Sequence, residues 1–518
     1  MLFLLFFLAV AARCDDILVY QPLLMPSHAT FMARLVEVMA GANYSLTVLV
    51  NRHRADFPHG CDKAHEIITV LPVEGVLSGL SPEMGWKVKA TPTSQWQAMN
   101  YLSQANAKQC KALLNDKQAL SKLQSRKFRV LVHEVFDMCG LVLMKLLNIE
   151  KHIIVSSTRQ MDTVGYELGL TDPFCHAGIL SDYGCSLGWK DVLRNAWFIE
   201  SFLKFTDNQV YFYKDEIKSL DLPKPLRKLT RTASAVFINT HPLTDSWRPS
   251  LRNVFDIGGI ALHEPKPLLP NLDDELKKWN KVVFVSFGTV VPSAFMPEDW
   301  KKNMATVIRS FPKVLFLWKY EKEDTFSAVK LPNVIMSDFF PQNDLLHSGL
   351  ISLFITHGGQ NSILEAASAG VSLIVIPQFG DQFRNAKAVH ERKLGVVLEK
   401  NDLGNFKTMH NTIDKMLQKE KRLKNVSHLI SADIAARAFV TKMEEVLQTG
   451  LTFNDGPEAW DSLKFIQSLW TMFCGVMALL ILLICFRYYP LLIAATESVK
   501  KLLYNQEEQI QEESTQEQ

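Results

Sequence analysis

The sequence predicts an α/β protein of two Rossmann-like domains facing a cleft, followed by one apolar C-terminal helix. Three observations carry that prediction. Short apolar strand patterns alternate with helical patterns in two successive sets, a Pro-, Lys- and Asp-rich stretch from Leu262 to Lys278 separates the sets, and Phe465 to Phe486 runs 22 positions without a charge. At 518 residues the chain exceeds one ordinary core. Apolar content of 47% and charged content of 21% are globular values, and a net charge of +2 without a basic stripe argues against nucleic acid as a partner.

The elements follow in order. Leu2 to Ala12 are apolar and lead into Cys14, Asp15 and Asp16, the pattern of a secretory signal peptide over residues 1–14 and too short for a bilayer span. The first domain, 15–262, opens with a βαβ unit: a strand near Ile17 to Tyr20, a helix from Ser27 to about Ala40, and a strand near Leu46 to Val50. Further strands are expected near Val130 to Val132, Ile153 to Ser156 and Ala235 to Asn239, with a helix at Gly140 to Leu147. After a linker at 263–279, the second domain, 280–450, is expected to place strands at Val282 to Ser286, Val314 to Trp318, Asn333 to Met336, Leu353 to Ile355 and Leu373 to Ile376. A helix spans Trp300 to Arg309, and another begins near Ser362.

The charge-free run at 465–486 would be about 33 Å long as a helix, against a hydrocarbon core of about 30 Å. Acidic residues precede it, Arg487, Lys500 and Lys501 follow it, and Trp470, Tyr488 and Tyr489 flank it. This predicts one membrane helix, a cytosolic tail at 487–518 and the bulk of the chain on the luminal side. Of eight cysteines, Cys61, Cys110, Cys139, Cys175 and Cys185 lie outside the signal and the span. Neither their spacing nor that of the histidines forms a zinc pattern, and their pairing is left open. Asn43 and Asn425 stand in glycosylation sequons. A homo-oligomer is also left open.

The densest chemistry lies between Phe339 and Gln382. A strand ends at His357-Gly358-Gly359 and a helix follows, so unpaired N-terminal amides meet the carboxyl end of a strand and form an anion site suited to a diphosphate. His357 can donate to a phosphate oxygen, Asn361 and Ser362 share the first turn, Glu365 can accept from a ribose diol, and Asp381 with Gln382 offers groups for sugar hydroxyls. Ser362 and Glu365 also fit an S-x-x-E capping box.

The ordered set Phe339-Phe340-Pro341-Gln342, Thr356-His357-Gly358-Gly359 and Asp381-Gln382 resembles the signature of the UDP-glycosyltransferase superfamily, in particular its membrane-bound UDP-glucuronosyltransferase branch. The resemblance spans nearly the whole chain. It implies the GT-B arrangement, with an acceptor bound by the first domain and a UDP-sugar, as cosubstrate, mainly by the second. It implies that Phe339 stands where the family usually has a uracil-stacking Trp, and that Lys319 replaces a phosphate-directed Arg of the vertebrate branch. Phe keeps a stacking face, whereas Lys keeps charge but loses the bidentate fork.

No Asp-x-Asp triplet occurs, so no cofactor or metal is expected; Gly288-Thr289, Lys319, His357 and the helix N-terminus would stabilise the leaving diphosphate. His28, in the loop after the first strand, is the expected general base, and the helix N-terminus there is expected to keep it neutral. The resemblance implies a carboxylate partner at the end of the strand near Val130; that position is Glu134, with Asp137 as the alternative. The expected activity is inverting, metal-independent transfer of glucuronate or glucose to a hydroxyl of a small lipophilic acceptor, in the endoplasmic reticulum lumen. Loops at Val73 to Trp96 and Gly165 to Tyr183 would shape the acceptor site. The rival reading is a noncatalytic UDP-sugar-binding subunit, distinguished by nucleotide binding without turnover.

Overall fold

A computed structural model describes residues 16–55, 57–78, 83–87, 91–171, 178–181, 189–321, 331–418, 427–449, 472, 475–489 and 496–499. The signal-peptide prediction at 1–14 lies outside these residues, as do Cys175, Cys185 and Asn425. Two compact units are present, Met1–Asp455 and Gly456–Gln518.

Within the first unit, strands β1 (Asp16–Leu23), β2 (Ser45–Arg52), β3 (Glu66–Val70), β4 (Val130–Glu134), β5 (Lys151–Ser156), β6 (Ala235–Ile238) and β7 (Val254–Asp256) form one parallel sheet in the order β3-β2-β1-β4-β5-β6-β7. The second sheet contains β8 (Lys281–Ser286), β9 (Val314–Lys319), β10 (Val334–Ser337), β11 (Ile351–Thr356), β12 (Ser372–Val375) and β13 (Gly395–Val397), in the order β10-β9-β8-β11-β12-β13. Successive residues of one strand feed opposite cores. Ile17 and Val19 pack with helix Pro26–Gly41, whereas Leu18 and Tyr20 pack on the face that carries helix Cys139–Leu146. In β8, Val283 and Val285 enter one core and Phe284 the other. Such two-sided burial is why these strands read as unbroken apolar runs.

Each sheet reverses its strand order once, between β1 and β4 and between β8 and β11. A crevice opens beyond the carboxyl ends of strands at such a switch point, because the connections on its two sides run in opposite directions. His28, in the first turn of the helix after β1, Glu134, the last residue of β4, and Gly288 and His357, just past β8 and β11, stand at or near those ends.

The expected linker carries structure of its own: Pro270–Lys277 is a helix with Pro at its start and fully buried Leu276 docked in the core that holds Phe284. One boundary differs from expectation, since the second domain does not run to residue 450. Helix Ala432–Thr449 returns to the first sheet, where Ala435, Phe439, Met443, Val446 and Leu447 join the core of β1 and β4, with the Phe439 ring 4.7 Å from that of Phe237. A further crossing contact comes from Trp86, which packs in the core that holds Val283 and Val285 of β8 and donates from Nε1 to the Pro292 carbonyl at 2.8 Å. Cys110 and Cys139 form a disulfide, and Cys61 is free and buried.

In the second unit, residues 475–489 are helical with exposed Leu479, Leu482 and Phe486. Among the described residues no helix is long and apolar enough to cross a membrane; the span expected at 465–486 lies partly outside them.

Candidate active site

Helix Pro26–Gly41 begins directly after β1, with Pro at its first position where a missing N–H costs nothing. That start brings His28 to the end of the neighbouring β4, where its Nδ1 lies 3.3 Å from Glu134 Oε1. The carboxylate is fully buried and held by other donors: Phe136 N at 3.1 Å to Oε2, and Ser157 Oγ at 3.0 Å to Oε1. The Phe136 ring stands edge-on to the imidazole at 5.4 Å. His28 is thus gripped at Nδ1, which leaves Nε2 as the nitrogen able to take a proton.

Electrostatics correct one expectation. Burial opposes the His28 cation, but the charge and hydrogen bond of Glu134 outweigh it, and the imidazole is raised above its ordinary value. A partial charge at a helix end is weaker than a full carboxylate at contact distance, so the helix N-terminus does not decide the protonation state. Burial likewise opposes the Glu134 anion, yet His28 and Ser157 hold its carboxyl below the usual range.

Asp137 is turned elsewhere. It accepts from the Tyr20 hydroxyl at 2.6 Å and from Cys139 N at 2.9 Å, within the core behind the sheet, where burial pushes it up to about 6. The structure therefore brings Glu134, and not Asp137, to His28; Asp137 anchors the helix that starts at Cys139.

Across the crevice, the His357 ring sits in a slot that two glycines leave open. A Cβ at Gly288 would lie 2.8 Å from its Cε1, and one at Gly359 would lie 2.6 Å from its Nε2. Gly288 also has φ of +83°, which side chains rarely adopt. Burial, with the Lys319 cation next in weight, pushes His357 down to about 4, so it meets an anion as a neutral N–H donor. Lys319 is less free than expected. Its Nζ donates to the Gly288 carbonyl at 2.8 Å and pairs with Glu321 at 3.1 Å, bracing the turn beside His357. Thr289 follows in that turn.

The helix after β11 starts earlier than expected, at Gln360 with Gly359 as its cap, so Ser362 and Glu365 do not form a capping box. Gln342 instead donates to Ser362 Oγ at 3.0 Å and to the Glu365 carboxylate. Burial pushes Glu365 up to about 7. Phe339 remains 70% exposed, its face open for stacking. Asn361 accepts from Asn239 Nδ2 at 2.8 Å, tying the anion loop to the first domain. Gln382 uses Oε1 to close the preceding turn, taking Gln378 N at 2.8 Å and Phe379 N at 3.2 Å, so only its amide N–H groups remain for a ligand.

Asn385 was not foreseen. Its Nδ2 donates to Asp381 Oδ2 at 2.8 Å and to the Gly358 carbonyl at 3.0 Å, and its Oδ1 accepts from Arg159 Nε at 2.6 Å. One amide thus links the His357-Gly358-Gly359 loop, the Asp381 carboxylate and the other domain. The signal in the sequence is the i, i+4 spacing of Asp381 and Asn385 on one helix. Burial raises Asp381, opposed in part by the Asn385 hydrogen bond and then by the charges of His28 and Arg159.

Beside these groups, the crevice opens into a cavity of ≈ 600 Å³ lined by Leu24, Met25, Val76, Met99 and Leu102 from the first half, and by Thr289, Val290, Pro292 and Phe379 from the second.

Comparison with known proteins agrees with this layout. Residues 31–434 match the family described as UDP-glucoronosyl and UDP-glucosyl transferase. The UDP-glucuronosyltransferase ugt-56 of Caenorhabditis elegans is 38% identical over 404 residues, 76% of this chain and 77% of the relative. Human UDP-glucuronosyltransferase 3A2 is 27% identical over 443 residues, 82% of this chain and 83% of the relative. Among solved structures, the glycotransferase of kitacinnamycin aligns with a TM-score of 0.59 at 15% identity, covering 83% of this chain and all of that one. The calicheamicin glycosyltransferase CalG4 aligns at 0.56 and 17%, covering 84% and 99%. At such identities the structures speak for the GT-B fold alone; with a family match over most of its length and a relative 38% identical over three quarters of it, the chain belongs to the UDP-glycosyltransferase family.

Proposed function

We propose that this UDP-glycosyltransferase transfers glucuronate or glucose with inversion, and without a metal, to a hydroxyl of a small lipophilic acceptor. The observation that carries the reading is the His28–Glu134 contact at 3.3 Å at the mouth of a crevice that also holds an apolar cavity. His28 Nε2 takes the acceptor proton as the acceptor oxygen attacks the anomeric carbon. Glu134 stabilises the imidazolium that forms. The bond from the anomeric carbon to the diphosphate oxygen breaks on the opposite face, and its electron pair leaves with UDP. The neutral His357 N–H and the amides at the start of helix Gln360–Ser368 meet the charge that develops there. Asp381 holds sugar hydroxyls, Glu365 the ribose diol, and Phe339 the uracil face.

The apolar cavity supports a lipophilic acceptor, since burial of its surface supplies affinity that a few polar contacts cannot. We also propose a single C-terminal anchor at 465–486 with the catalytic half in the endoplasmic reticulum lumen. The charge-free run and the Cys110–Cys139 disulfide, which suits an oxidising compartment, support it. A chain ended after Asp455 should leave carbonate-washed membranes; retention would reject the anchor.

The test is turnover by the full chain in microsomes with UDP-glucuronate and UDP-glucose against a phenol and an aliphatic alcohol. A β-glycoside from the α-linked donor, formed in the presence of a chelator, is expected. An α-product, or loss of activity on chelation, would overturn the mechanism.

A further inference from the structure

The cavity has one buried polar residue among its buried lining groups. Leu24, Val76, Met99 and Leu102 are 4–5% exposed and apolar, and His53 is 3% exposed. His53 follows β2 directly and is held there by its own backbone, which donates to the Leu23 carbonyl at 3.3 Å. Neither ring nitrogen has a hydrogen-bond partner. The Asn51 backbone and the Asn106 side chain lie near enough to favour its cation as hydrogen-bond acceptors, but neither meets a ring nitrogen at hydrogen-bond geometry: the Asn106 Oδ1 is itself unsatisfied, and its Nδ2 is given to the Phe136 carbonyl. The other polar lining groups, Arg54, Glu74, Ser78 and Thr289, are exposed.

A buried imidazole without a partner is costly, because it loses water and gains nothing in return. A ligand that fills an apolar cavity recovers that loss if it carries a hydrogen-bonding group at the right depth. Burial pushes His53 down to about 4, so the ring stays neutral and offers one N–H donor and one lone pair. A carbonyl or hydroxyl can use either. A carboxylate gains no charge pairing from it.

We propose that His53 is the specificity-determining anchor of the acceptor cavity, hydrogen-bonding a neutral oxygen of a lipophilic acceptor remote from the hydroxyl that receives the sugar. Its preferred substrates are then bifunctional: an apolar skeleton, a hydroxyl directed to His28, and a second neutral oxygen toward His53. The proposal rests on the cavity being the acceptor site.

The test is equilibrium binding to the UDP-saturated full chain of a series of phenols with a para-alkyl chain, in which a ketone oxygen is moved one carbon at a time and each ketone is paired with its plain alkyl analogue. At one chain position the ketone should bind roughly tenfold tighter than its analogue. His53→Phe should erase that preference while leaving UDP affinity unchanged, and His53→Gln, which keeps a donor and an acceptor, should retain part of it. A ketone preference that survives His53→Phe, or its absence at every chain position in the unaltered protein, overturns the proposal; the second measurement stands even if a variant fails to fold. Transfer is followed in parallel on the same phenols. Ketone-selective binding with no transfer would reject the catalytic reading and leave the His53 assignment intact, whereas transfer without selectivity would do the reverse.

Discussion

Glu134→Gln removes one charge and almost no volume, and so isolates what the carboxylate does for His28. At the observed 3.3 Å and an effective dielectric of about 20, the attraction between a carboxylate and an imidazolium is ~5 kcal/mol before desolvation is counted. Burial of both groups offsets part of this, as it opposes both charged forms. A net loss of ~3–5 kcal/mol in the transition state, where the imidazolium has formed, corresponds to a fall of roughly 10²- to 10⁴-fold in kcat. A second readout separates this from a structural defect. Because Glu134 raises His28, the unaltered enzyme should lose activity as pH falls through a value above that of an ordinary histidine; in Glu134→Gln that limb should move to lower pH even as the plateau drops. The assay is the pH dependence of kcat/KM with an aliphatic alcohol acceptor, since a phenol can arrive already ionised and need no base. An enzyme within about tenfold of normal whose acid limb has not moved would refute the pair as the catalytic unit. Glu134→Ala and His28→Ala should also be non-additive, because the two act together.

Three further outcomes are expected. Gly288→Ala forces a Cβ to 2.8 Å from the His357 ring and should cost roughly 10²-fold in kcat through displacement of the donor, with acceptor binding unchanged by titration. Glu365, pushed up to about 7, should protonate as pH falls through that value and then lose the capacity to accept from a ribose diol; binding of uridine, which has no phosphate to titrate, should therefore weaken on the acid side and become pH-independent in Glu365→Gln. Phe439→Ala should destabilise the fold by ~3–5 kcal/mol, read as a lower Tm, although residue 439 follows the donor domain in sequence; no change would contradict its place in the first core.

Both sheets were legible because their strands are buried on two sides and punctuated by turn residues. His28 and His357 drew attention because strand carboxyl ends are where α/β proteins gather chemistry, and Glu134 because the family resemblance implies a carboxylate at the end of its strand. What escaped has physical causes. The stripe Ala435, Phe439, Met443 states that a helix face is buried but not on which sheet. The pattern Ser362-x-x-Glu365 satisfies a capping rule equally well one turn into a helix, where Gln342, twenty residues earlier, claims both side chains. The charge state of His28 depended on a 3.3 Å contact across 106 residues of sequence, and a nearby helix end was the weaker influence. Asn239 has no periodicity and declares itself only in three dimensions, and the i, i+4 spacing of Asp381 and Asn385 does not reveal that Asn385 also reaches the Gly358 carbonyl and Arg159.

Those amides explain how one site is assembled from two sheets. Arg159 of the first half is fully buried, donates to Asn385 and to the Thr244 carbonyl, and pairs with Asp245. Arg384 reaches back to the Gln160 carbonyl, and Gln360 to that of Asn239. Buried ions and amides of this kind contribute little net stability, because desolvation consumes most of the attraction. They are demanding in geometry, however, since a small slide between the halves would leave several groups unpaired at once. An apolar interface of equal area would tolerate such a slide. The proposed reaction does not: His28 is fixed to the first sheet and His357 to the second, and misplacement of about 1 Å between base and leaving group costs roughly 10²-fold in rate. A polar interface running from Arg159 through Asn385 to Asp381 and the Gly358 carbonyl therefore sets the register between the two halves at the place where the sugar must lie.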